Sequence, residues 1–341
     1  YTGELMSAIL CIIDGMTDEE FKISNFPNLR SMAAEGAVGE FITVPQGFAA
    51  ESLSCIFTLL GYGAHQIPKQ GRGWLEAVGA DIPVDSGDLV LRASWASCDK
   101  NGRLSSFADT PPNCKSCGNI EYYSLGEYKA VVVLKGKAKK LSRITTHSPF
   151  DNIGEYITAL LPQGSSELAD FIMQNRTDNK ILLPWGQSAA CEISKLPYNA
   201  AAVASTPVVC GIAKCLGMRL ITPNGANGET DTNLTAKAEI SLQLAAQHEL
   251  VVLHINGADE ASHRKSADEK QSFLHRIDNE VFMPLKNCGL PVLITSDHGT
   301  SPVTGRHINA GQPFVLYSAG KSGNLGIFSG REAISLLKEI K

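Results

Sequence analysis

Short, unbroken apolar runs punctuated by polar, glycine-bearing breaks set the pattern of this chain. Residues 7–13, Ser-Ala-Ile-Leu-Cys-Ile-Ile, form the first run and stop at Asp14-Gly15. An apolar run of this length predicts a strand buried on both faces. Leu250-Val251-Val252-Leu253-His254-Ile255 repeats the pattern and leads into Asn256-Gly257-Ala258-Asp259-Glu260-Ala261-Ser262-His263. Pro291-Val292-Leu293-Ile294-Thr295 repeats it again and ends in Ser296-Asp297-His298. Three times a predicted strand delivers a carboxylate to its carboxyl end, where open α/β sheets place their ligands. Between the runs lie helix patterns at 27–36, 208–216, 235–247 and 331–338, and shorter strand patterns at 219–221 and 313–318. The alternation predicts an α/β fold.

From residue 66 to about 200 the texture changes. Turn residues crowd in, with strand-like pieces at 89–95 and 130–136 and helix-like ones at 154–161 and 167–174. The expected organisation is a discontinuous α/β domain of 1–65 and 202–341, interrupted by an α+β insertion of 66–201.

Composition narrows the classes of function. The 341 residues are 43% hydrophobic and 19% charged, which suits a globular chain with ample core. A net charge of −5 gives no electrostatic argument for nucleic acid or an anionic membrane, so neither is expected as a partner. No apolar run approaches the roughly 20 residues of a membrane span. The start lacks the basic residues and cleavage site of a secretion signal, and Tyr1 to Leu5 are expected to stand ahead of a start at Met6. Nine cysteines, an odd number in mostly apolar surroundings, predict free thiols in a reducing cytoplasm. Cys114 and Cys117 form one C-x-x-C with no second pair at zinc-ribbon spacing.

The strand-end residues carry the chemistry. A single Asp-His pair after a strand reads equally as a polar turn capping the strand. Its recurrence selects a cation site, since carboxylate and imidazole are good ligands for divalent metals. Asp259 and His263, four apart, share a helix face and can grip one ion. His307 follows Asp297 by ten residues. The set divides into Asp259, His263 and His307 for one cation, and Asp14, Asp297 and His298 with the Ser52 hydroxyl for a second. Two cations about 3.5–4 Å apart clamp the attacking and leaving oxygens of a phosphoryl transfer. Ser52 lies where the loop Val44-Pro45-Gln46-Gly47 runs into the apolar stretch 55–60, so it is either an N-cap or a residue facing an anion at a helix N-terminus. Gly71-Arg72-Gly73 and Arg92 are anion-binding candidates, against the plainer reading of solvated surface groups; Lys135 to Lys140 read as a solvated basic turn.

Taken together, these motifs resemble the cofactor-independent phosphoglycerate mutases of archaeal type, within the alkaline phosphatase superfamily. Ile13-Asp14-Gly15-Met16-Thr17-Asp18 is similar to the family's first metal motif. Val44-Pro45-Gln46-Gly47 through Ser52, then Leu59-Leu60-Gly61-Tyr62, is similar to its nucleophile segment, and Gly71-Arg72-Gly73-Trp74-Leu75-Glu76-Ala77 follows in register. Trp185-Gly186-Gln187, Val208 to Met218, and Asp231-Thr232-Asn233 through Ala236-Lys237-Ala238 match as well. Asp259-Glu260-Ala261-Ser262-His263, Asp297-His298 and His307 complete the set. The resemblance implies an alkaline phosphatase-like sheet sandwiched by helices, with a smaller inserted cap domain that holds substrate. It implies that Ser52 is phosphorylated, with Asp14, Ser52, Asp259, His263, Asp297, His298 and His307 holding two divalent ions, manganese, zinc or magnesium. The implied reaction interconverts 3-phosphoglycerate and 2-phosphoglycerate, a step of glycolysis on a small phosphorylated metabolite. Arg72, Arg92 and Lys129 are the substrate-binding candidates.

Departures from the family pattern are concentrated in two places. Around Ser52 the family has Pro-Gly before and Asp after; Ala50-Glu51 and Leu53 stand here. In the insertion, Tyr128-Lys129-Ala130 matches a Tyr-Arg-His stretch and Ser148-Pro149-Phe150 an Asp-Pro-His stretch. Lys lacks the bidentate fork of Arg, and Ala cannot do the acid–base work of His. Two alternatives follow: a phosphatase or homoserine-kinase-like phosphotransferase using the same centre on another substrate, and a non-catalytic metal-binding protein. Sequence gives no oligomeric state.

Overall fold

The computed structural model describes residues 7–22, 26–108, 110–177, 179–318 and 320–338. Tyr1 to Leu5 lie outside the described residues. The chain divides into two compact units, one of 1–67 and 193–341 and the other Pro68–Glu192. No helix among the described residues is long and apolar enough to cross a membrane.

In chain order the strands are β1 (Ala8–Ile13) and β2 (Ala37–Ile42), then β3 (Leu89–Cys98), β4 (Leu104–Phe107), β5 (Ile120–Ser124), β6 (Lys129–Leu134) and β7 (Lys180–Ser188) in the second unit. The first unit resumes with β8 (Ala200–Val203), β9 (Arg219–Ile221), β10 (Leu250–Ile255), β11 (Val292–Thr295), β12 (Gly299–Thr300), β13 (His307–Ile308), β14 (Gln312–Tyr317) and β15 (Gly323–Ser329).

The first unit is an eight-stranded sheet in the order β15-β2-β14-β11-β1-β10-β8-β9. Its centre is parallel: β1 lies between β10 and β11, with Ile12 opposite His254 on one side and Thr295 on the other. Every residue of these three strands is buried. That is why they read as continuous apolar runs: parallel strands covered on both faces have no solvent side to make polar. Ile9, Cys11 and Ile13 point to one face, where they join Leu29, Met32, Leu244, Phe273 and Leu274. Those residues come from the helices Pro27–Glu35, Leu234–Ala245 and Ala267–Ile277. Leu10 and Ile12 point the other way by the two-residue period; there the C-terminal helix Ala333–Lys338 packs on β1 and β11. Each fully buried Ile or Leu contributes about 1.5–3 kcal/mol relative to exposure, so this double burial fixes the register of β1 and thereby the place of Asp14.

In the second unit β3 pairs antiparallel with β4, β6 and β7, and β5 extends the sheet from β6. Leu91, Ala93, Trp95 and Val132 pack there with Leu168, Phe171 and Ile172 of the helix Ser166–Asn175.

Several expectations need adjustment. The insertion was expected to span 66–201, whereas the second unit is Pro68–Glu192 and Ala200–Val203 already pairs in parallel with Leu250–Leu253 of the first. Four small residues wedged between two parallel strands give no strong signal of their own. The helix expected at 154–161 is a single turn, Ile157–Leu160. The basic stretch is not a free turn: Lys135 donates to Asp88 at 2.6 Å, and Ala138–Arg143 form a 3-10 helix.

Candidate metal centre

Because β10, β1 and β11 are neighbouring parallel strands, their carboxyl ends meet, and each is followed by a carboxylate. Asp14 follows β1, Asp297 follows β11 with Ser296 between, and Asp259 lies on the helix Gly257–His263 just after β10. Gly15 makes the approach possible. Its φ is 82°, and a Cβ there would lie 2.6 Å from the Cα of Asp259. His307 enters on β13, whose partner β12 follows His298 directly. Ser52 is the first residue of the helix Ser52–Leu59.

All seven expected residues are brought together. The Ser52 hydroxyl stands 3.2 Å from Asp14 Oδ2 and 3.2 Å from His298 Nε2. His298 Nε2 is 3.5 Å from Asp14 Oδ1 and 3.6 Å from Asp297 Oδ2. His263 Nε2 lies 3.2 Å from Asp259 Oδ2 and 3.2 Å from His307 Nε2. The distances group the ligand atoms as Asp259, His298 and His307 on one side and Asp14, His254 and Asp297 on the other. The expected division had His263 with Asp259 and His307, and His298 with Asp14 and Asp297. His298 stacks on His307 at 4.1 Å between ring centroids, so it stands between the two groups, and His254 enters a set it was not expected to join. Ser54 is outside the cluster, its hydroxyl donating to the carbonyls of Ala49 and Glu51.

The hydrogen-bonding state of these groups fits a cation. His263 Nδ1 donates to the Gly305 carbonyl at 2.8 Å, and His307 Nδ1 to the Ala50 carbonyl at 2.6 Å. Those bonds engage Nδ1 of each ring with a backbone carbonyl and turn both Nε2 atoms toward Asp259, at 3.2 Å for His263 and 3.8 Å for His307. Asp14 Oδ1 and both oxygens of Asp297 are buried with no hydrogen-bond partner among the described residues. Native interiors pair nearly all such atoms, because an unpaired buried charge is costly. Three carboxylates, four imidazoles and a hydroxyl converging in one cluster are a donor set for divalent metal.

Electrostatics point the same way. Burial, then the charge of Asp259, pushes Asp297 up to about 7. Burial, then Asp297 and Asp259, raises Asp14 well above the usual carboxylate range. Burial would raise Asp259 too, but His263 outweighs it and holds the group well below that range. Burial opposes the charge on His263, yet Asp259 lifts it to about 9. His307 falls to about 4 through burial and the neighbouring His298. Without a cation, this cluster keeps extra protons at neutral pH.

Supporting residues that the sequence did not single out surround the cluster. Thr300 Oγ1 donates to Asp259 Oδ1 at 2.6 Å. Lys270, 1% exposed, donates to the carbonyls of Gly15 at 2.8 Å and Thr300 at 2.9 Å and pairs with Glu20 at 3.0 Å. It ties together the loops after β1 and β11. Its signal was weak: a lone Lys in an otherwise ordinary amphipathic helix. His254 was hidden inside an apolar run.

In the second unit, Arg72 and Arg92 both donate to Glu76, which is fully buried, and Arg72 lies over the Trp185 ring. Lys129 lies 5.4 Å from the centroid of the Tyr128 ring.

Residues 6–334 match the model of the metalloenzyme superfamily, and the chain belongs to that family. Within it, the chain is similar to a 2,3-bisphosphoglycerate-independent phosphoglycerate mutase of Methanopyrus kandleri, 25% identical over 99% of this chain and 97% of that one. It is also similar to one from Sulfurisphaera tokodaii, 28% identical over 85% of this chain and 81% of the other. Among solved structures, the PH0037 protein from Pyrococcus horikoshii shares the fold with a TM-score of 0.73 at 19% identity, covering 98% of this chain and 97% of that one. The cofactor-independent phosphoglycerate mutase from Thermoplasma acidophilum does so with a TM-score of 0.57 at 19% identity, covering 97% of this chain and 98% of that one.

Proposed function

We propose that the chain is a metal-dependent phosphoryl-transfer enzyme that interconverts 3-phosphoglycerate and 2-phosphoglycerate through a phosphoserine at Ser52, in the cytoplasm. The observation that carries this reading is the Ser52 hydroxyl, 8% exposed at a helix start and 3.2 Å from both Asp14 and His298. The names of the archaeal relatives support the substrate. Asp259, His263 and His307 would hold one divalent ion, and Asp14, Asp297, His298 and Ser52 a second, of manganese, zinc or magnesium. When bound, such ions neutralise phosphoryl oxygens and lower the pKa of an adjacent hydroxyl.

The chain's own residues do the rest. Ser52 Oγ attacks phosphorus while its proton leaves toward Asp14 Oδ2, whose Oδ1 is left to face the ion; His298 Nε2, 3.2 Å from the hydroxyl, positions it. The bond from phosphorus to the substrate oxygen breaks, and that oxygen takes up a proton. Attack by the neighbouring hydroxyl of the same glycerate returns the phosphoryl group and restores Ser52. Glu51 makes no side-chain cap on the helix, so the first-turn N–H groups stay available to the phosphoserine dianion. Arg72 and Arg92, pre-set by Glu76, supply charge for a carboxylate or phosphate, and Lys129 a further point charge.

A second reading, a phosphatase or phosphotransferase acting on another substrate through the same centre, is favoured by one feature. Phe107 stacks on Tyr128 at 4.7 Å, Phe150 lies 4.5 Å from Phe107, and Trp185 is 5.7 Å from Phe150. Aromatic rings thus occupy the stretch where the resemblance expects acid–base groups. Turnover of phosphoglycerates, other phosphorylated hydroxy acids and simple phosphate esters, measured with manganese present, separates the readings. Isomerisation of phosphoglycerate carries the first; phosphate release or transfer from another ester, without isomerisation, carries the second.

A further inference from the structure

One buried side chain in the first unit has no partner that explains it. His254 is the fifth residue of β10, fully buried and paired in register with Ile12. Asp14 stands two residues beyond Ile12, so His254 lies one pleat below it on the same sheet face. His254 Nε2 is 3.3 Å from Asp14 Oδ2. That separation is within hydrogen-bond reach, but the direction is not: neither ring nitrogen has a hydrogen-bond partner among the described residues. Asp14 Oδ1 and both Asp297 oxygens are in the same condition. A histidine serving only as core would have a ring nitrogen satisfied by the protein. Here His254 Nε2, Asp14 Oδ1 and both Asp297 oxygens are all buried and unpaired. One ligand atom from each of Asp14, His254 and Asp297 falls within 4.8 Å of the others, the spacing of donors around a single ion.

The backbone is held for this purpose. Lys237, itself fully buried, donates to the His254 carbonyl at 3.1 Å and to Ser205 Oγ at 3.0 Å. It pins β10 at the residue whose ring points at the carboxylates.

We infer that His254 Nε2 is a ligand of the cation held by Asp14 and Asp297, supplying that cation with a nitrogen donor from inside the sheet. The assignment rests on reading the cluster as a metal centre and adds a residue to it. A nitrogen donor shifts an otherwise oxygen-rich site toward zinc, cobalt or manganese and away from magnesium.

The test uses the full chain, stripped of metal and titrated with zinc or cobalt against a chromophoric chelator. Wild type takes up two equivalents. His254→Leu fills the same space without a donor; in it, one of the two equivalents weakens by at least about tenfold, the range in which site residues act on affinity. Magnesium affinity changes much less. The cobalt-loaded variant also loses the visible-band pattern of the wild type, because a nitrogen ligand has gone. Unchanged affinities overturn the assignment and make His254 a core residue. Weaker zinc binding with an unchanged cobalt spectrum overturns it too, making His254 a donor that orients Asp14. If His254→Leu does not fold, His254→Gln is read by the same two measures. A wild type that takes up no metal removes the centre itself, an outcome visible without any variant.

Discussion

Glu76 in the second unit and Asp297 in the first are both fully buried carboxylates, and their surroundings are opposite. Burial would raise Glu76, but Arg92 and then Arg72 outweigh it and hold the group below the usual carboxylate range. Both of its oxygens are engaged by those two arginines. Asp297 pairs with no Lys or Arg among the described residues, neither oxygen has a hydrogen-bond partner among them, and it rises to about 7. One carboxylate is neutralised by two arginines; the other has no such pair and holds its proton instead. Buried charge alone therefore does not mark the reactive site. Buried charge left unmatched, beside a hydroxyl at a helix start, does.

The comparison can be broken in several ways. The largest expected effect is at Ser52. If the unmatched charges serve to activate this hydroxyl, Ser52→Ala should lower turnover by at least about a thousandfold. Metal content, read by elemental analysis, should be nearly unchanged, since the Asp and His donors remain. Wild-type turnover in the variant would separate the cluster from the chemistry.

Next comes Glu76→Gln, which strands two guanidinium groups. Removing one partner of a buried ion pair costs about 3–5 kcal/mol, and the loss should appear in denaturant unfolding whether or not manganese is present. A loss that vanished with metal would show that the two carboxylates are not opposites after all.

The pH dependence sharpens the contrast. Asp297 holds its proton to about 7 in the folded chain, against roughly 3.9 in an unfolded one. Between those values the folded state binds more protons, so stability falls as pH rises through the window. Glu76 has the opposite sign. Its contribution is complete above roughly 4.3 and is lost only as pH falls below that. Chelator-treated protein should melt at a higher temperature near pH 5.5 than near pH 8, and saturating manganese should reverse the order, because a cation takes the place of the protons. Equal melting at both pH values would contradict the state assigned to Asp297. The smallest effect is expected for Ser54→Ala, which removes a local backbone contact: about 1 kcal/mol of stability and no loss of turnover.

Much of this was legible in the chain, for a definite physical reason. Asp14, Asp259 and Asp297 announced themselves because parallel strands buried on both faces are wholly apolar, so the polar residue that ends each run stands out. The helical spacing of Asp259 and His263 was equally plain. His254 was not, because one imidazole inside Leu250–Ile255 leaves the run apolar enough to read as a strand and nothing more. Lys270 and Thr300 act through backbone carbonyls and a single carboxylate oxygen, contacts that follow from the fold and leave no spacing to recognise. Strand β15 was missed because Gly323–Ser329 is largely exposed and rich in glycine. In the second unit, Arg72 and Arg92 were noted as anion contacts, while the Glu76 that joins them was hidden in a helix beginning at Gly73.

The most direct measurement is to trap the phosphorylated enzyme. Wild-type protein loaded with manganese is mixed with 2-phosphoglycerate or another substrate it turns over, quenched in acid during turnover, digested, and the modified residue located by mass spectrometry. The account predicts one phosphorylated peptide, spanning the start of the helix Ser52–Leu59, with the phosphoryl group on Ser52 and no label in Ser52→Ala. Label on Ser54 in place of Ser52, or steady turnover with no labelled residue, would contradict it.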